Sequence, residues 1–156
     1  MDAPWWTFGP FLGLVFLTSL TGAIFRPGSW YAHLEKPSWT PPDWLFPVAW
    51  AGLYLTIAIA GWRIWDFMGV GLPLVIWAFQ LILNAAWSAI FFGLRSPLLA
   101  LVEVLALWLS IVAMIITFAM VDLNTGLLLL PYLAWVSFAA ALNLAIVRRR
   151  LGVVEA

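Results

Sequence analysis

The chain has 156 residues, of which 65% are hydrophobic, 17% aromatic and only 9% charged, and its formal net charge is zero. Such a composition leaves too little polar surface to cover a water-soluble globule, so lipid must solvate most of the protein. The absence of cysteine excludes disulfides and thiol chemistry, and with a single histidine the chain has no cluster with the spacing of metal ligands.

Five apolar stretches dominate the chain, and each reaches the length of about 20 residues that a helix needs to cross a bilayer. They are continuously apolar and about twice as long as transmembrane strands, which predicts helices. We therefore predict an all-α integral membrane protein with one domain over residues 1–156. Its predicted transmembrane helices, numbered one to five, span residues 5–25, 44–65, 72–93, 97–121 and 125–147.

The connections between these helices differ in length. Residues 66–71, 94–96 and 122–124 form short connections, which predict successive antiparallel hairpins in a five-helix bundle. Residues 26–43 form one long loop between helices one and two. Its prolines predict turns and extended chain around a short helix near Ser29–Leu34, capped by Ser29.

The basic residues are distributed unevenly between the two sides of the membrane. Only Arg63 lies on the side of the N-terminus, whereas the opposite side carries Arg26, Lys36, Arg95, Arg148, Arg149 and Arg150. In a bacterial cell membrane this bias predicts a cytoplasmic long loop and a cytoplasmic C-terminus. We interpret the arginine triplet as an anchor at anionic headgroups rather than as a nucleic-acid site.

Helix three carries polar side chains that a lipid-facing helix would not need. Gln80, Asn84, Trp87, Ser88 and Phe91 fall on one stripe of the helix about 100° wide. Because an unpaired amide in hydrocarbon costs several kcal/mol, these amides must bond to neighbouring helices or line a cavity.

Two other helix faces allow more than one interpretation. Ala85, Ala89 and Gly93 form a stripe of small residues on helix three, which suits either a homodimer interface or close packing inside one bundle. Glu103 lies near the start of helix four. There, interfacial snorkelling or a protonated acid is a better explanation than a proton relay.

Three tryptophans lie deep within their predicted helices. The indoles of Trp50, Trp87 and Trp135 share helix faces with Tyr54, Asn84 and Asn143, whereas other tryptophans lie at helix ends, where aromatic anchors belong. Indoles combined with carboxamides predict a cavity for a large, flat, mostly apolar guest.

Four sequence strings carry a family resemblance that extends over essentially the whole chain. KPSWTPPDWLFPVAWAGLY (36–54), QLILNAAWSAIFFG (80–93) and PYLAWVSFAAALN (131–143) resemble the signatures of the TspO/MBR family of tryptophan-rich sensory and translocator proteins, and WYAHLEKP (30–37) extends the match through the loop. The resemblance implies a five-helix bundle, commonly dimeric. It also implies binding of porphyrins such as protoporphyrin IX and haem. Some members of the family also bind cholesterol and benzodiazepine-type ligands.

The resemblance also implies the position of a binding site between the helices, beneath the long loop. The family's binding positions correspond to Trp50, Tyr54, Asn84, Trp87, Trp135, Ala139 and Asn143. From their place in the loop, we add Arg26 and Lys36 as partners for porphyrin propionates. The sterol motif of vertebrate members has a tyrosine where this chain has Leu144, which argues against strong sterol recognition.

Membership in this family would be compatible with three functions. The first is a porphyrin-binding sensor or regulator that assists porphyrin transport or disposal without an obligatory cofactor. The second is a light-dependent porphyrin-degrading enzyme in which Trp50 and Trp135 would be oxidised, and the third is a lipid or cholesterol carrier. The resemblance includes residents of bacterial cell membranes, bacterial outer membranes and mitochondrial outer membranes.

Overall fold

The computed structural model describes residues 3–152, and within that range every regular element is a helix. A 3₁₀ turn at Trp5–Phe8 leads into α1, and a π-helical turn at Ala89–Gly93 follows α4. The α-helices are α1 (Gly9–Ile24), α2 (Ser29–Ala32), α3 (Leu45–Met68), α4 (Leu72–Ser88), α5 (Pro97–Val121), α6 (Leu123–Leu127) and α7 (Leu130–Arg150).

Five helical spans are long and apolar enough to cross a membrane, which confirms the predicted fold class. Large apolar side chains cover the outside of the bundle. Phe16 on α1 and Leu109 on α5, for example, expose 61% and 63% of their surface. Such a surface requires a lipid solvent. The spans are Trp5–Ile24, Leu45–Met68, Leu72–Gly93, Pro97–Val121 and Leu123–Arg150.

Two of the predicted helices are interrupted. Helix three changes from α to π geometry at Ala89–Gly93, where the Leu94 amide donates to the Ala89 carbonyl at 2.9 Å. Helix five is divided into α6 and α7 by a turn at Leu128 and Leu129, because the Asp122 side chain caps a separate short helix. The helix in the long loop also differs from expectation, since its N-cap residue is Gly28 rather than Ser29.

The helices pack in an order that differs from their order along the chain. α1 lies against both α3 and α4, and these two contact each other less although a short turn joins them. α4 packs against α5, and α5 packs against α7. At Gly93 the small-residue stripe faces its own bundle, because a Cβ there would lie 2.9 Å from the Phe25 ring.

An ion pair joins the end of α3 to the turn between α5 and α6. Arg63 Nη2 donates to Asp122 Oδ2 at 2.9 Å, and Arg63 Nε donates to Thr125 Oγ1 at 2.7 Å. Hydrogen bonds from Thr125 and then Arg63 lower the pKa of Asp122, so this carboxylate stays charged at neutral pH. The contact gives Arg63 an anionic partner at the end of the bundle.

The interior near the N-terminal side of the bundle is filled by Trp77. This indole is buried, and its Nε1 donates to the Ile57 carbonyl of α3 at 2.9 Å. It lies directly over Gly61, where an added Cβ would come within 2.4 Å of the ring. Gly61 therefore allows α3 and the Trp77 indole to approach closely.

We predict that Gly61→Ala destabilises the bundle by about 1–3 kcal/mol, since the indole must move and weaken its bond to Ile57. Gly52→Ala on the same helix is the control, because a Cβ at Gly52 meets nothing within 4 Å. Unfolding in detergent micelles, followed by circular dichroism, measures both variants. Equal stability of the two variants would contradict this account of Gly61.

Candidate functional site

A cavity of about 1250 Å³ lies beneath the long loop. α1, α3, α4, α5 and α7 all contribute to its wall, and the loop covers one end with Arg26, Pro27 and Tyr31. Most of the lining is apolar. The volume exceeds the range of about 300–1000 Å³ that is usual for small-molecule sites, so the cavity suits a large guest.

Aromatic rings form much of the wall. Trp50 stacks on Tyr54 with ring centroids 5.2 Å apart, and Trp87 stacks on Phe91 at 5.0 Å. Trp135 on α7 meets Phe46 on α3 edge to face at 5.8 Å. These contacts hold flat ring surfaces in fixed positions on three helices, which is what a planar aromatic guest needs.

A chain of hydrogen bonds connects α3, α4 and α7 beside the cavity. The Tyr54 hydroxyl donates to Asn84 Oδ1 at 2.9 Å, and Asn84 Nδ2 donates to the Tyr132 hydroxyl at 2.8 Å. Tyr132 in turn donates to Gln80 Oε1 at 2.8 Å. The two amides of helix three thus bond to neighbouring helices, and Asn84 also lines the cavity.

Other buried polar atoms have no hydrogen-bond partner within the described residues. They include both amide atoms of Asn143, which is only 1% exposed, and Trp87 Nε1. Both residues line the cavity, and these unpartnered atoms are buried in its wall. Glu103 is 9% exposed and both of its carboxyl oxygens are buried without a partner among the described residues, which contradicts snorkelling.

The loop end of the cavity carries charges of both signs. Arg26 and Asp43 line it, and neither forms an ion pair with another described residue. Tyr31 lies between loop and cavity, and burial, followed by the charge of Asp43, raises the pKa of its phenol. Lys36 instead donates to the Tyr31 carbonyl at 3.1 Å and places its ammonium 4.1 Å from the centre of the Tyr31 ring.

The structure brings together all of the predicted site residues except Lys36. The cavity wall contains Arg26, Trp50, Tyr54, Asn84, Trp87, Trp135, Ala139 and Asn143. Lys36 lies outside the wall, since Tyr31 separates it from the cavity.

Sequence reasoning missed Tyr132 and Asp43. Tyr132 is fully buried at the centre of the hydrogen-bond chain, and it lies on the same helical face as Trp135, Ala139 and Asn143, so the periodicity of α7 was a usable signal. For Asp43 there was no such signal. Its place at the cavity depends on how an irregular loop folds.

The sequence model of the TspO/MBR family matches residues 11–149. The chain belongs to the TspO/MBR family. Its similarity to individual members covers most of both chains in each comparison. It is 44% identical to tryptophan-rich protein TspO of Chlorobaculum tepidum (88% of this chain and 91% of that one) and 43% identical to protein CrtK of Rhodobacter capsulatus (85% of each). It is 35% identical to the human translocator protein, over 96% of this chain and 94% of that one.

Membership in the TspO/MBR family, together with five apolar helices, makes the chain a multi-pass integral membrane protein. Among residues 3–152, no three His, Asp or Glu side chains lie close enough together to hold a metal ion. His33, the single histidine, is exposed in the loop, and its Nδ1 lies 2.7 Å from the Ser29 carbonyl oxygen. The residues that line the cavity offer ring surfaces for stacking, amide groups and the charges of Arg26 and Asp43.

We predict that Tyr132→Phe destabilises the bundle by roughly 0.5–2 kcal/mol, because Asn84 and Gln80 both lose a partner in the interior. Tyr31→Phe is the matched control, since it removes a hydroxyl that bonds to no other described residue. Thermal unfolding in micelles compares the two variants. A cost at Tyr31 as large as that at Tyr132 would show that the hydrogen-bond chain is not the cause.

Proposed function

We propose that this protein binds a flat tetrapyrrole of the porphyrin type in the cavity beneath the long loop, and that it acts as a membrane sensor or regulator of such molecules. The observation that carries the proposal is a cavity of about 1250 Å³ walled by the indoles of Trp50, Trp87 and Trp135. One relative is named tryptophan-rich sensory protein, that of Cereibacter sphaeroides, with 37% identity over 95% of this chain.

The shape and polarity of the cavity support a planar guest with a polar edge. Stacking on an indole face suits the aromatic disc of a porphyrin, and hydrophobic burial suits its apolar substituents. The unpartnered Asn143 amide and Trp87 Nε1 offer hydrogen bonds that no described side chain satisfies. A guest that met these groups would remove the cost of leaving them unpaired in the interior.

The charges at the loop end bear on which porphyrins bind well. Arg26 would attract a propionate, whereas Asp43 at the same end would repel one. The two opposing charges therefore moderate the preference for a dicarboxylate. We expect the affinities for the diacid and for its diester to differ by an amount that depends on both residues.

Titration of the purified protein with protoporphyrin IX, followed by porphyrin absorbance, tests the proposal. We expect Trp50→Phe, Asn143→Ala and Trp135→Phe to weaken binding by roughly 5- to 30-fold, about 1–2 kcal/mol for one stacking or hydrogen-bond contact. Trp62→Phe is the control, since this indole donates to Thr7 and lies outside the cavity wall. Absence of saturable binding to the wild type, or equal losses in Trp62→Phe, would reject the site.

The same titration with the dimethyl ester separates charge from shape. Arg26→Gln should weaken binding of the diacid more than binding of the diester. Asp43→Asn should strengthen binding of the diacid and leave binding of the diester unchanged. Lys36→Gln should have a smaller effect than Arg26→Gln because its ammonium faces Tyr31. Equal responses of diacid and diester in every variant would exclude recognition of the propionates.

Light-dependent porphyrin breakdown is a second candidate function. Trp50 and Trp135 both line the cavity, so an excited porphyrin bound there would lie next to oxidisable indoles. We expect illumination with excess porphyrin in the presence of dioxygen, which is the oxidant, to consume about one equivalent of porphyrin per protein if the indoles are spent, and many equivalents if the protein is a catalyst. Porphyrin loss counted against intact Trp50 and Trp135 by mass spectrometry distinguishes these outcomes.

We place the protein in a bacterial cell membrane, with the long loop and the C-terminus in the cytoplasm, from the distribution of arginine and lysine.

We also propose a homodimer. Within the small-residue stripe, Ala85 and Ala89 are the positions left for that interface, since Gly93 faces Phe25 of its own chain. Crosslinking in native membranes tests the homodimer, and labelling of the long loop and the C-terminus by a membrane-impermeant reagent tests the orientation.

A further inference from the structure

A second recess lies on the outside of the bundle, on the side of the membrane that carries the long loop. It has a volume of about 320 Å³ and lies between the loop and the last turns of α7. The loop supplies Pro37 and Trp39, and α7 supplies Arg148 and Arg149 at one end of the recess. We call this recess the α7 groove; its remaining lining residues are Ala141, Leu144 and Ala145.

The α7 groove has a cationic end. Arg148 and Arg149 form no ion pair with another residue in the range 3–152, and no acidic side chain belongs to the lining. Their neighbour Arg150 points elsewhere, since its guanidinium lies 5.9 Å from the centre of the Trp30 ring. The two arginines therefore concentrate positive charge at the mouth of a concave surface.

The rest of the groove is lined by apolar side chains. Ala141, Leu144, Ala145 and Arg148 follow one another at helical spacing, so they form a stripe on one face of α7. From Ala141 to Arg148 this stripe rises about 10 Å along the helix, at 1.5 Å per residue. Trp39 forms the opposite wall, where it is 49% exposed and packs edge to face on Phe138 at 5.7 Å.

We propose that the α7 groove is a binding site for one anionic phospholipid. Its phosphate would lie between Arg148 and Arg149, and one acyl chain would run along the stripe formed by Ala145 and Ala141. The arrangement matches a lipid oriented along the helix, with its charged headgroup at the membrane surface and its chain toward the bilayer centre. The indole of Trp39 lies where the glycerol region of such a lipid would be.

The test measures binding of dioctanoyl phosphatidylglycerol to the detergent-solubilised full chain by microscale thermophoresis. Dioctanoyl phosphatidylcholine is the neutral lipid control, and glycerol 1-phosphate supplies the phosphate without chains. We expect the anionic lipid to bind more tightly than either. Arg148→Gln and Arg149→Gln should each weaken it roughly fivefold, the size expected for one basic side chain at an anionic surface.

Two further variants separate a site from a diffuse charge. Arg150→Gln removes the same charge one residue away from the groove, and it should change the affinity less than twofold. Ala145→Phe keeps every arginine but fills the acyl stripe, so it should weaken phosphatidylglycerol at least as much as Arg148→Gln. Circular dichroism confirms that each variant remains helical.

Three results would overturn the proposal. Equal loss in Arg150→Gln and Arg148→Gln would show a general electrostatic attraction. Binding of glycerol 1-phosphate as tight as that of phosphatidylglycerol would show a phosphate site without a role for the chain. Equal affinity for phosphatidylcholine would show an apolar surface that does not select charge.

Discussion

A polar side chain in the middle of a lipid-solvated bundle cannot form hydrogen bonds to water. An unpaired amide there therefore costs several kcal/mol of stability. The chain from Tyr54 through Asn84 and Tyr132 to Gln80 meets most of this constraint by joining α3, α4 and α7. Of its amide atoms, only Gln80 Nε2 is left without a partner among the described residues. α1, α4 and α5 pack around the same centre. The positions of the cavity walls depend on this connection, because each of the three joined helices contributes an aromatic ring to them.

The interior thus contains two kinds of polar groups with different consequences. Tyr132 is satisfied by protein partners and holds the helices together, whereas the Asn143 amide and Trp87 Nε1 are buried beside the cavity without partners. The first kind stabilises the bundle, and the second leaves bonding capacity for something that enters it. Both kinds lie in one small region, and Asn84, whose amide is satisfied by Tyr54 and Tyr132, also lines the cavity.

The sequence predicted the spans well where local chemistry marks their ends. Pro97–Val121 agrees at both ends because a proline opens the helix and Asp122 follows its last residue. The π turn at Ala89–Gly93 and the break before α7 were not predictable, since apolar periodicity continues through both. The indoles and amides of the site followed from helical spacing, but the pairing of Asn84 with Tyr132 and the place of Asp43 depend on contacts between distant parts of the chain.

The close fit of Trp77 over Gly61 has a consequence for movement across the bilayer. Beyond Leu55 on α3 and before Asn84 on α4, no described residue of either helix borders the cavity, and packed side chains, Trp77 among them, occupy that half of the interior. Along α1, by contrast, the lining continues through Gly13 and Leu12 to Gly9, at the opposite end of the helix from the loop. The hollow therefore ends between α3 and α4 but extends along α1, so a molecule that moved toward the side of the N-terminus would have to follow α1 rather than pass between α3 and α4.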